Sequence, residues 1–122
     1  MAALSDTISL AIDKALKAPN GRHAEILVHD GPLRQTVIAL KKGVQLAEHN
    51  SPPAASIQVI RGVLQVTGQD TVVIQEGCVE ALTHDRHSVE ALENAVFLLT
   101  TVTSIPGQNS HTGQIPVVDP EA

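Results

Sequence analysis

Apolar residues at two different spacings divide this chain. Near the N-terminus, in "ALSDTISLAIDKALKAPNG", Ile8, Leu10, Ile12, Ala15 and Leu16 recur at close to helical spacing. Ser5 or Asp6 is placed to cap the first turn, and Pro19, Asn20 and Gly21 are placed to end the last. The pattern predicts a short α-helix within residues 1–21. Beyond Gly21 the rhythm changes to brief runs rich in β-branched residues: "HAEILVHD", "LRQTVIAL", "VQLAEH", "SIQVI", "VLQVT", "TVVIQ", "CVEAL", "HSVEAL" and "AVFLLTTV". Turn formers separate them at Gly31-Pro32, Lys42-Gly43, Pro52-Pro53, Arg61-Gly62, Gly68-Gln69-Asp70, Glu76-Gly77 and Glu93-Asn94.

No second amphipathic helix is legible, so there is no crossover element for a parallel βαβ sheet. Many short strands behind one leading helix predict an all-β fold, an antiparallel barrel or sandwich over residues 22–104. Leu64, Val66, Val72, Ile74, Val96 and Leu98 are expected to alternate into its interior. Residues 105–122, "IPGQNSHTGQIPVVDPEA", read by composition as a tail. Its "IPVVD" could still pair as an edge strand on the barrel or on a second copy. A homodimer with a terminal segment across the partner's sheet is therefore expected.

A chain of 122 residues has room for one domain with a real core. Apolar residues make up 43% and aromatics 1%, so the core must be built from Val, Ile, Leu and Ala around a single Phe97. The scarcity of aromatic rings removes the platforms on which single-stranded nucleic acid stacks, and a net charge of −5 repels phosphate, which argues against a nucleic-acid partner. Asp6 and Asp13 interrupt the apolar N-terminus, and no run of about 18 apolar residues occurs, so no membrane partner is expected. Cys78 is the only cysteine. A reducing compartment, the cytoplasm, suits it, and with Glu76 and Glu80 nearby a buried or inert thiol is expected.

Gly43, His49 and Gly62 carry a spacing that resembles the first motif of the cupin superfamily, in which a glycine, two histidines, a glutamate and a closing glycine follow one another. Ser51 stands where the second histidine falls, and Ala55 where the glutamate falls. Gly77 and His87 resemble the second motif, with Thr83 and Asp85 in place of its proline and glycine and an interval one residue short. The stretches "EHNSPPAASIQVIRGVLQVTG" and "HSVEALENAVFLLTTV" look like the small single-domain bacterial cupins, with degenerate metal-binding motifs. The resemblance covers about half the chain and implies an RmlC-like antiparallel β-barrel, or jelly roll, behind the short N-terminal helix.

Strand alternation places Gln45, Ala47, His49 and Ser51 on one face and Val44, Leu46 and Glu48 on the other. The resemblance turns the His49 face inward, and Ala55, Ile57 and Val59 continue an inward face that lacks the family's carboxylate. A cupin metal takes three or four protein ligands, so His49 and His87 need a third, and His84 is the candidate because Glu90 alternates away from His87. The bland reading, that His49 and His87 are hydrogen-bonded pocket residues, is the stronger one. His23, His29 and His111 read as solvated or interface residues. Ser51 and Ser88 each lie near a histidine but have no third group to orient a base, which argues against a serine hydrolase.

The preferred expectation is a pocket lined by His49, Ser51, Ala55, Ile57 and His87 that binds a small organic or anionic ligand, since protonated imidazoles attract anions. It would hold no metal, or a weakly bound divalent Zn, Fe, Mn or Ni on His49, His84 and His87. The alternative is a metal-dependent cupin enzyme of the isomerase or oxygenase type. A third possibility is an assembly module whose pocket is filled by side chains.

Overall fold

The computed structural model describes residues 3–49, 54–82 and 87–103. Its elements are α1 (Leu4–Lys17), β1 (Arg22–Asp30), β2 (Leu33–Leu40), β3 (Gln45–His49), β4 (Ala54–Arg61), β5 (Val63–Thr67), β6 (Thr71–Gln75), β7 (Val79–Leu82), β8 (His87–Ala91) and β9 (Ala95–Val102). The strands form a five-stranded sheet in the order β1-β2-β9-β4-β7 and a four-stranded sheet in the order β3-β8-β5-β6. Every pairing is antiparallel. The nine short runs of the sequence thus become strands of a jelly roll whose inner faces form the core. Among the described residues no helix is long and apolar enough to cross a membrane. The "IPVVD" segment and His111 lie outside the described residues.

Two apolar layers hold the fold. The inner layer joins the sheets through Ile38, Leu40, Ile57, Val59, Leu64, Val66, Ile74, Val89 and Phe97. Each aliphatic side chain fully withdrawn from water there contributes roughly 1.5–3 kcal/mol. The outer layer packs Ile8, Ala11 and Ala15 of α1 on Val37, Ala39 and Val96 of β2 and β9. Alanines at the contact let the helix axis approach the sheet closely.

This second layer corrects two sequence expectations. Val96 and Leu98 lie under the helix, on the outer face, while Ala95, Phe97 and Leu99 face the other sheet. A strand covered on both faces is apolar at every position, so its alternation does not reveal which face is inner. Likewise only the Ile8, Ala11, Ala15 stripe of α1 is buried; Leu10 and Leu16 are exposed. The N-cap is Ala3, not Ser5 or Asp6, with no side-chain cap bond, although the Thr7 hydroxyl donates to the Ala3 carbonyl at 3.2 Å. Cys78 is exposed, so of the two expectations for it, a buried or an inert thiol, the first is corrected.

The chain passes from the five-stranded to the four-stranded sheet at Gly62, between β4 and β5, with φ of 83°. A later passage back to the five-stranded sheet, between β8 and β9, touches this corner: a Cβ on Gly62 would meet the Asn94 carbonyl oxygen and lie 2.8 Å from Ala95 Cα. The last glycine of the first motif therefore serves the closure of the sandwich.

Candidate functional site

The histidine pair arises from an irregularity in β3. Gln45 pairs with Glu90 and Leu46 with Val89, but the next matched pair is His49 with His87, so β3 spends three residues where β8 spends two. That extra residue is a β-bulge, and it reverses the parity of the strand. Leu46 and Val89 are buried in the inner layer, whereas the Gln45 side chain donates to Glu90 Oε1 at 3.3 Å on the other face. His49 therefore takes the register position opposite His87, in the row of Val89 and Ala91. The backbone register departs from the simple alternation that put Gln45 and His49 in one row, because alternation read from sequence contains no bulge. Half-buried His87 and buried Val89 and Ala91 occupy alternate positions of β8, and Glu90 lies between them on the opposite row.

A polar row on the five-stranded sheet lies at the same end of the sandwich. Leu82 pairs with Ala55, Ala55 with Thr101, Thr101 with Arg34 and Arg34 with His29, so one lateral row crosses all five strands. Leu82 packs against the inner layer, which identifies the row as inward. Only four residues, 50–53, separate His49 from Ala54, and only four, 83–86, separate Leu82 from His87. These short crossovers tie the row to the histidine pair. One step deeper, Thr36, Leu99 and Ile57 form the next row. Thr36 is 2% exposed and Thr101 7%, while Arg34 is half-buried with its Nη2 2.9 Å from His29 Nε2.

Of the residues singled out from sequence, His49 and His87 are brought opposite one another along the backbone. Ala55 stands half-exposed on the neighbouring sheet, and Ile57, 1% exposed, belongs to the packed core. Ser51 and His84 lie outside the described residues. His23 is held by Glu25, Nε2 to Oε1 at 3.0 Å, at the β1 position opposite Ala39 of the outer layer. Sequence reasoning missed Arg34, Thr36 and Thr101. In "LRQTVIAL" the alternate set Arg34, Thr36, Ile38, Leu40 was visible, but the helix makes the opposite set, with Val37 and Ala39, equally apolar.

Chemically, the site offers a guanidinium, an imidazole at His87, two hydroxyls and an aliphatic wall. These are donors suited to a carboxylate or hydroxyl-bearing molecule. Among the described residues no group of three or more His, Cys, Asp or Glu is placed to hold a metal ion. The donor chemistry points the same way: Ala55 has no ligating atom, the threonines supply neutral hydroxyls, and the Arg34 charge opposes a cation. Among the described residues of this row, none other than a histidine offers a divalent metal a customary ligand.

No family model matches the chain, and no curated protein matches it. Solved structures do resemble it. A conserved protein of unknown function from Streptococcus pyogenes aligns at 24% identity and a TM-score of 0.66, covering 75% of this chain and 85% of that one. A cupin superfamily protein from Desulfitobacterium hafniense aligns at 13% identity and a TM-score of 0.64, covering 68% and 78%. A salicylate 1,2-dioxygenase from Pseudaminobacter salicylatoxidans aligns at 17% identity and a TM-score of 0.69, covering 80% of this chain and 33% of that one.

Proposed function

From the cupin fold that these likenesses show, we propose that the chain binds a small organic anion at the end of the sandwich where His49 and His87 pair, without a catalytic metal. The observation that supports this most is Arg34, set in one inward row with Thr101 and Ala55. A guanidinium at the edge of an apolar interior favours a carboxylate, which accepts its paired N–H groups, and the threonine hydroxyls can donate to the same ligand. The aliphatic wall of Leu99 and Leu82 suits the ligand's body.

Salicylate, the compound named for the dioxygenase of like fold, is a suitable probe. Calorimetric titration should show it binding the parent protein and binding Arg34→Gln about tenfold more weakly or worse, the loss of one charge-assisted hydrogen bond. Equal affinity in the two proteins would overturn the assignment. Elemental analysis of protein purified without a histidine tag separates this reading from the metal-dependent enzyme, an isomerase or oxygenase on His49, His84 and His87. Substoichiometric metal is expected. One tightly held transition metal per chain, lost in both His49→Ala and His87→Ala, would establish the enzyme reading instead.

The proposal also includes a cytoplasmic homodimer. The single thiol suits a reducing compartment. The edge strands β1 and β7 expose Ile26 and Val79, which suit cover by a terminal segment of a second copy.

A further inference from the structure

A cavity lies along the seam between β1 at the edge of one sheet and β3 at the edge of the other. It has a volume of about 240 Å³ and is lined by Asn20, Arg22, His23, Ala24, Ile38 and Leu46. Ile38 lies four residues from Arg34 along β2, about 13 Å at the rise of an extended strand. The two sites are therefore distinct.

The floor of this cavity is apolar, since Ile38 and Leu46 are buried in the inner layer and Ala24 packs against it. Backbone contacts fix the turn that carries Asn20. Gly21, with φ of 70°, brings the turn after α1 so close to the segment leading into β3 that a Cβ there would sit 2.7 Å from Val44 Cγ2. The Lys41 amide donates to the Gly21 carbonyl at 2.8 Å, and the Val44 amide donates to the Lys41 carbonyl at 2.9 Å. Asn20 Oδ1 accepts the Arg22 amide at 3.2 Å, which leaves the Asn20 side-chain amide as a donor.

The charge at the mouth is Arg22. It pairs in register with Leu40, a residue of the inner layer, and is half-buried. His23 is engaged by Glu25, but among the described residues no carboxylate lies within ion-pair distance of the Arg22 guanidinium. A half-buried guanidinium at the rim of a pocket with an apolar floor is complementary to a molecule with one anionic end and a hydrocarbon body.

We propose that this seam cavity binds a small monocarboxylate with an apolar body, its carboxylate on Arg22 and Asn20 and its hydrocarbon against Ala24, Ile38 and Leu46. The volume falls below the roughly 300 Å³ at which drug-sized pockets begin, which restricts the ligand to short aliphatic or single-ring acids. Inorganic phosphate has the charge without the body, and an alcohol of the same length has the body without the charge. The inference stands independently of the ligand proposed for the histidine end.

The test is a titration of the full chain with hexanoate, hexanol and inorganic phosphate, followed by amide proton–nitrogen correlation spectra. Hexanoate should shift the amides of Ala24, Ile38 and Leu46, hexanol should do so about tenfold more weakly, and phosphate should leave them in place. Arg22→Gln should bring hexanoate down to the level of hexanol, with Arg22→Lys between the two. The hexanoate-to-hexanol ratio in the parent protein tests the charge requirement even if a variant misfolds. Equal binding of the two probes overturns the proposal. So do shifts confined to the His87 and Arg34 amides, full hexanoate affinity in a folded Arg22→Gln, or no shift at millimolar hexanoate. Loss of salicylate binding in Arg34→Gln with hexanoate binding intact would separate the two sites.

Discussion

Replacing Gly62 by alanine tests the claim that the two corners of the sandwich are locked together. Two costs add at this position. The backbone φ of 83° is one that L residues adopt at about 1–2 kcal/mol, partly offset by the 0.4–1 kcal/mol that alanine gains through a less flexible unfolded chain. The new methyl must also displace the Asn94 carbonyl and the Ala95 backbone, whose Cα lies 2.8 Å from the Cβ position. Backbone on both sides of the contact leaves no flexible side chain to yield, so an overpacking cost of about 1–3 kcal/mol applies. The total expected is about 1–4.5 kcal/mol, a large share of the roughly 5–15 kcal/mol that holds a domain of this size. Gly77 is the control: its φ is 86°, and a Cβ there meets nothing within 4 Å. Gly77→Ala should therefore cost about 0–1.6 kcal/mol. Urea unfolding followed by circular dichroism, with unchanged denaturant slopes, gives both values. Equal losses in the two variants would refute the close-approach argument and leave backbone conformation as the whole reason for glycine.

Other expectations follow from the two layers. Leu64→Ala empties a fully buried position of the inner layer and should cost about 2–5 kcal/mol in the same assay, a loss under 1 kcal/mol contradicting its placement. Ala15→Leu should push α1 off β2 and cost about 1–3 kcal/mol, while the exposed Leu10→Ser should stay within about 0.5 kcal/mol; the reverse order would mean that the helix docks by another face. For the proposed homodimer, light scattering should give twice the chain mass for the full-length protein and the chain mass for a version ending at Gly107. Two monomers of equal stability would dismiss it.

The existence and order of the strands were legible in the sequence because each is a short β-branched run bounded by turn residues, from "HAEILVHD" to "AVFLLTTV". Local preference and the constraint of turns suffice for that. The helix was legible by spacing, but its buried stripe was not, since Leu10 and Leu16 satisfy the same spacing as Ala11 and Ala15 and only the sheet beneath selects among them. Gly62 could be read as a turn residue, and its cupin spacing as a motif. That it meets Asn94 and Ala95, more than thirty residues later, belongs to the tertiary structure.

The candidate site divides in the same way. His49 and His87 could be nominated from spacing alone, because motif spacing is a property of the chain. Their pairing depends on the bulge in β3, which arises when two strands of fixed ends must be matched and leaves no mark in an alternation of residue types. Arg34, Thr36 and Thr101 were ordinary strand residues until the partners of β2 and β9 were known; the side of a strand that faces the other sheet is set by what covers its opposite side, here α1. The seam cavity at Arg22 is further still from the sequence, since it lies where the edges of two sheets fail to meet and every lining residue has an unremarkable local reason to be there. Sequence determined the strands and the helix through short-range preference. Faces, rows and cavities were decided by long-range pairing, because each is defined by a partner that the local chain does not contain.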